Sequence, residues 1–176
     1  MKFKIVDMDA TLIHLQADWN AVRALVGEHL RAVGMDYERG RPLDANIFKL
    51  RAVYPERFFE LATAVAALES VNIDRAPVHQ AVIDELKGAT WALFTANSRA
   101  TARAALATQG LRHLSPKMVV TREDVLRPKP DPEGALLILK KMNWPACETE
   151  FLGDSDNDMN AARDAGVKFR RVGEFG

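Results

Sequence analysis

The sequence predicts an α/β protein, built as a doubly wound parallel sheet with a helical segment inserted into it. Two observations carry this. Short apolar, β-branched segments recur along the chain and alternate with helix-length segments of 3.6-residue periodicity, the pattern of βαβ units. In addition, about 70 residues between the first and second of these strands read as helix throughout, far more than a crossover connection requires. The right-handed crossover rule then places the strands in one twisted layer with helices on both faces.

The elements follow in order. Lys2 to Val6 reads as a buried strand that ends in the acids Asp7 and Asp9. Asp18 can cap a helix carrying Trp19, Val22, Val26, Leu30 and Val33, with Gly34 as its stop signal. Asp44 can cap a second helix through Ile47, Phe48, Leu50 and Val53. Pro55 opens a third through Phe58, Leu61, Val65 and Leu68, and Pro77 a fourth through Val82, Ile83 and Leu86, ending at Gly88. The pattern then changes. Thr90 to Thr95, Lys117 to Thr121, Glu150 to Gly153 and Val167 to Val172 read as strands. Helices between them start at Ser98, Pro132 and Asp156, the last stopped by Gly166. The expected division is an α/β core of residues 1–14 and 88–176 with a helical cap at 15–87.

Composition removes several functions. The 176 residues carry 24 basic and 24 acidic side chains, so no net charge draws the chain to nucleic acid or an anionic membrane. Aromatics make up 7%, too few for base-stacking platforms. One cysteine, Cys147, excludes a disulfide framework or a cysteine zinc site within the chain. The histidines show no metal-ligand spacing. No apolar run reaches the ~18 residues of a membrane span, and the start has no apolar signal-peptide core. A soluble cytoplasmic protein is the expectation, as a monomer or homodimer, without nucleic-acid or membrane partners.

Chemistry concentrates at predicted carboxyl ends of strands, where open parallel sheets bind ligands. Asp7 and Asp9 follow the first strand, Thr95 ends the second, and Asp154, Asp156 and Asp158 follow the fourth. Lys129 sits in Arg127-Pro128-Lys129-Pro130-Asp131-Pro132, a loop stiffened by three prolines. Asp7, Asp9, Asp154 and Asp158 at one edge would repel strongly without a counter-charge. Mg2+, which prefers oxygen ligands and keeps room for phosphate oxygens, resolves that conflict, and Lys129 adds a second positive charge. Thr95 offers a hydroxyl beside helix-starting N–H groups, a phosphate seat. Together these groups make a phosphoryl-transfer site. Read singly, each element is bland: an Asp at a strand end is commonly a turn former, and a lone Lys a solvated charge. The Gly153–Asp158 run lacks the spacing and final Glu of an EF-hand.

Four motifs, in order, resemble those of the haloacid dehalogenase-like superfamily: Asp7-Met8-Asp9-Ala10-Thr11-Leu12, Leu93-Phe94-Thr95-Ala96-Asn97, Lys129-Pro130 and Gly153-Asp154-Ser155-Asp156-Asn157-Asp158. The helical insert resembles the cap of its phosphoglycolate phosphatase-like and β-phosphoglucomutase-like branch. The resemblance implies a Rossmann-like sheet ordered 5-4-1-2-3 and an Mg2+-dependent phosphatase of a small phosphate ester. It implies Asp7 as the nucleophile that forms an aspartyl-phosphate, and Asp9 as general acid and then base. Thr95, Ala96, Asn97 and Lys129 would hold the phosphoryl group. Asp7, the Asp9 carbonyl, Asp154 and Asp158 would hold Mg2+, Asp158 through water or by orienting Lys129 instead. Asp156 would be accessory. Asp9 favours phosphoesters over haloacids, since an alkoxide leaving group needs an acid and a halide does not. Ala10 departs from the family's usual glycine. A phosphomutase using the same intermediate and a catalytically silent phosphate-binding module are the alternatives. The cap residues Arg39, Arg41, Lys49, Arg51 and Arg57 read first as a solvated face and second as a reader of anionic substrates.

Overall fold

The computed structural model describes residues 1–173. Its elements in chain order are β1 (Phe3–Val6), α1 (Trp19–Arg31), α2 (Leu43–Val53), α3 (Pro55–Glu69), α4 (Gln80–Leu86), β2 (Thr90–Phe94), α5 (Arg99–Ala107), β3 (Val119–Val120), α6 (Glu133–Met142), β4 (Thr149–Gly153), α7 (Asp156–Asp164) and β5 (Lys168–Arg171). Single 3-10 turns occur at Ile73–Arg75, Arg122–Asp124 and Ala146–Glu148. The strands pair in parallel in the order β3-β2-β1-β4-β5, the 5-4-1-2-3 arrangement that the motifs imply.

Register positions the site. Val6 pairs with Leu93 on one side and Leu152 on the other, so β1, β2 and β4 finish level. Alternation along the strands sorts their side chains to two faces. Ile5, Ala92, Phe94 and Phe151 pack on one face with Ile138 of α6 and Ala161 of α7. Val6, Trp91, Leu93 and Leu152 pack on the other with Ile83 of α4 and Ala105 of α5. Between β1 and β2, helices α1 to α3 bury Val22, Val26, Ile47, Leu50, Phe58, Leu61 and Val65, a 3.6-period stripe from each helix. No helix among the described residues is long and apolar enough to cross a membrane.

Most predicted caps are in place. Asp18 accepts from the N–H groups of Asn20 and Ala21, and Ser98 from that of Thr101. Gly34 and Gly166 stop their helices with positive φ. Two expectations fail. Asp44 does not cap α2, which begins at Leu43 behind Pro42 and has no side-chain cap. The Asp44 carboxylate turns instead to the Arg122 guanidinium, 3.5 Å away, a stronger attraction than a backbone amide. Pro77 does not open α4. Residues 77 to 79 run beside the chain leaving β1, with His14 N–H donating to Pro77 O and His79 N–H to Leu12 O. That pairing holds the backbone extended and delays the helix to Gln80.

A charged network ties α4 to the sheet. Lys4 meets Glu85 at 2.6 Å and Glu150 at 3.2 Å, and Arg170 donates to both carboxylates. Burial opposes ionisation of Glu85 and Glu150, but Lys4 and Arg170 outweigh it and hold both below the usual 4.5. A lowered folded-state pKa stabilises above the unfolded value and is lost as pH falls through the folded value. Stability is therefore expected to decline as pH drops below about 4.5. Urea denaturation of Glu150→Gln against wild type checks this: the variant should lose part of that decline. An unchanged pH dependence would rule the network out as its source.

Candidate active site

The turn after β1 supplies the first acids. Asp7 N–H donates to Leu152 O, which seats the residue between β1 and β4, and its carboxylate is buried. Asp9 lies two residues on, with Oδ1 accepting from the Leu15 N–H at 2.9 Å. Ala10, which follows Asp9, has φ +58°, the left-handed conformation that favours glycine, and its N–H closes the turn on Ile13 O. The turn thus survives with alanine at a cost of about 1–2 kcal/mol, offset in part by the stiffer unfolded chain. Ala10→Gly is expected to raise Tm by about 2 °C in a thermal melt. A fall in Tm would show that the turn is not strained.

Lys129 enters from the proline-rich loop. Its Nζ donates to Asp7 Oδ1 and to Asp158 Oδ1, each at 2.5 Å. All three groups are buried. Asp158 is fixed from the other side, where Oδ2 accepts from the N–H and the hydroxyl of Ser155. This reciprocal capping box starts α7. Gly153 makes room for it: a Cβ there would sit 2.5 Å from Asp158 Cβ. The Thr11 hydroxyl lies 3.4 Å from Asp7 Oδ2 and from Asp154 Oδ1.

The electrostatics follow from burial. Desolvation pushes Asp7 up to about 8, with Lys129 opposing and Asp158 and Asp154 adding to the shift. Burial likewise pushes Asp9 up to about 6, opposed by the Leu15 N–H. Asp154 is raised by burial and by Asp158. At Asp158 burial works against the charge, but Lys129 and Ser155 overcome it and hold the carboxyl below its usual value. Asp7, Asp154 and Asp158 each place a carboxylate oxygen within 4.8 Å of the others. Three carboxylate donors, two of them (Asp7 and Asp154) raised above their ordinary range, fit a hard divalent ion, whose charge would offset their repulsion.

These groups share a cavity of about 200 Å³. Asp7, Asp9, Lys129, Asp154 and Asp158 line it, with Ala96 and Asn97. Thr95 does not. It directly follows β2 and is buried, with its hydroxyl donating to Asn97 Oδ1 at 2.8 Å and accepting from the Asn97 N–H. Asp156 is outside as well, exposed and paired with Arg171. None of the basic cap residues named from the sequence lines this cavity. Arg41 and Lys49 pair with Glu38, Arg57 pairs with Glu60, and Arg51 lies over Phe58 and Phe59. Arg39 lies along a separate groove with Arg23 and Arg31.

Three charged lining residues were not read as site residues from the sequence: Asp44, Glu69 and Arg122. Arg122 donates from Nε to Ala96 O at 2.7 Å and from Nη2 to Glu69 Oε1 at 2.8 Å. Glu69 is fully buried and also accepts from the Thr101 hydroxyl at 2.6 Å. A signal for Glu69 exists: with Leu61 and Val65 it continues the apolar stripe of α3 at four-residue spacing, an odd place for an acid.

The profile of the family described as haloacid dehalogenase-like hydrolase matches residues 5–166. Among curated proteins, the chain is 26% identical to the N-acetylmuramic acid 6-phosphate phosphatase of Pseudomonas aeruginosa, over 98% of this chain and 81% of that protein. It is 36% identical to the pyrophosphatase PpaX of Bacillus velezensis, but over 49% of this chain and only 40% of that protein. Among solved structures, CbbY from Rhodobacter sphaeroides, in complex with phosphate, superposes with a TM-score of 0.67 at 18% identity, covering 99% of this chain and 87% of that one. A phosphoglycolate phosphatase-like protein from Lactobacillus plantarum gives 0.64 at 17% identity, over 97% and 85%. At such identities the two structures speak to the fold alone.

Proposed function

The chain belongs to the haloacid dehalogenase-like hydrolase family, and we propose that it is a phosphatase, hydrolysing a small phosphate monoester through an aspartyl-phosphate on Asp7. The observation that carries this is Lys129 Nζ, 2.5 Å from both Asp7 and Asp158 in a cavity also lined by Asp9 and Asp154. That set offers a nucleophile, an acid and a positive charge beside the nucleophile. The similarity to an N-acetylmuramic acid 6-phosphate phosphatase supports hydrolysis of a phosphate ester, without fixing which one.

In the proposed reaction an Asp7 carboxylate oxygen attacks phosphorus and the ester P–O bond breaks. Asp9 gives its proton to the departing oxygen, then takes one from the water that cleaves the acyl phosphate, returning Asp7. Lys129 balances charge on Asp7 and on the transferring group. Ala96 and Asn97 flank the phosphoryl oxygens, with Thr95 joining by exchanging Asn97 Oδ1 for one of them. Asp7, Asp154, Asp158 and the Asp9 carbonyl would hold Mg2+, which supplies a Lewis acid for phosphoryl charge. The segment 15–87 would serve as the cap, closing the cavity through Trp19, Leu43, Asp44 and Glu69.

The test is release of inorganic phosphate from an aryl phosphate with Mg2+, with a chelator control. Turnover that stops on chelation is the expected result. An isomerised ester in place of free phosphate would replace the hydrolase with a mutase. Phosphate binding by calorimetry without turnover on any ester would leave only a binding module.

A further inference from the structure

Besides Asp7, Lys129, Asp154 and Asp158, the cavity is lined by Trp19, Leu43, Asp44, Glu69 and Arg122. Asp44 comes from α2, Glu69 from α3, and Arg122 from the turn after β3. This second group carries one cation against two carboxylates. Among the described residues no other basic side chain lines the cavity except Lys129, whose Nζ is already held by Asp7 and Asp158.

Arg122 is 2% exposed, and its Nη1 is buried without a hydrogen-bond acceptor among the described residues. A buried guanidinium N–H left in that state is costly, and such groups usually mark a missing partner. Asp44 Oδ1 stands 3.5 Å from the same guanidinium, at the limit of a hydrogen bond, and remains able to accept. A group serving both must accept from Arg122 and donate to Asp44. A hydroxyl does both. A carboxylate or a second phosphate only accepts, and it would face two like charges. An ammonium only donates and would oppose Arg122.

We propose that Asp44, Glu69 and Arg122 read the leaving group, selecting phosphate monoesters of uncharged, hydroxyl-bearing alcohols over those with a second anionic group. Arg122 and Asp44 touch the hydroxyl, and Glu69 holds Arg122 in place. This rests on the phosphatase reading above and narrows it.

A matched pair tests it: glycerol 3-phosphate against 3-phosphoglycerate, which differ by a hydroxymethyl against a carboxylate, with an aryl phosphate lacking hydroxyls as reference. Wild type is expected to favour glycerol 3-phosphate in kcat/KM by about tenfold or more, the scale of one like-charge contact at intermediate dielectric. Asp44→Asn is expected to shrink that ratio by about tenfold, chiefly through KM for the carboxylate. Arg122→Met is expected to lose more on glycerol 3-phosphate than on the aryl phosphate; should it not fold, Asp44→Asn decides alone. Equal turnover of the pair, a preference for 3-phosphoglycerate, or an unchanged ratio in Asp44→Asn overturns the inference while the hydrolase stands. No Mg2+-dependent turnover of any of the three esters removes both.

Discussion

Asp7→Asn is expected to lower turnover of every phosphate ester by about four orders of magnitude or more while the protein stays folded. The carboxamide is a poor nucleophile. The shape is preserved, and the amide oxygen still accepts from Lys129. Lys129 also keeps its 2.5 Å partner Asp158, so no buried ammonium is stranded. Tm is expected to stay within about 3 °C. Steady-state hydrolysis with Mg2+, beside a thermal melt, reads both quantities. Residual activity within tenfold of wild type would remove Asp7 from the role of nucleophile.

Glu69→Ala is expected to cost about 3–5 kcal/mol and lower Tm on the order of 10 °C. Glu69 is fully buried and joins α3 to Arg122 at 2.8 Å and to Thr101 of α5 at 2.6 Å. Truncating it strips Arg122, itself buried, of its shortest carboxylate contact, leaves Asp44 at 3.5 Å, and opens a small void. Breaking a buried pair costs more than deleting it, because the surviving charge is stranded. The double variant Glu69→Leu with Arg122→Met is therefore expected to recover most of the loss. Chemical denaturation of the two variants tests the pair. A loss below about 1 kcal/mol in Glu69→Ala would show that the ion pair contributes little to the fold.

The sheet and the acids that gather at the cavity were legible because both are local signals. A β-branched run ending in Asp7, or Gly153 followed by Asp154 and Asp158, shows its strand and its acids within a few residues. The helical insert showed itself through periodicity and through Asp18, Pro55 and Gly34. Arg122 was not legible, because its partners Glu69 and Asp44 lie 53 and 78 residues away, and nothing local requires a guanidinium after β3. Asp44 misled for the same reason: an Asp at a helix start reads as a cap until a buried cation claims it. Pro77 misled because the pairing of residues 77 to 79 with the chain after β1 is a tertiary contact. Thr95 follows β2 directly, one residue past the strand end expected to include it, and its hydroxyl turns to Asn97 rather than into the cavity.

Asp158 divides its two oxygens between separate tasks. One holds Lys129 against Asp7; the other closes the first turn of α7 on Ser155. The start of a helix and the charge balance of the cavity are therefore one object. Exchanging Asp158 for a longer acid, to move the lysine, would also unseat that first turn. Adding bulk at Gly153 would shift the lysine through the same carboxylate. Along this stretch, a mutation of the frame is also a mutation of the proposed chemistry.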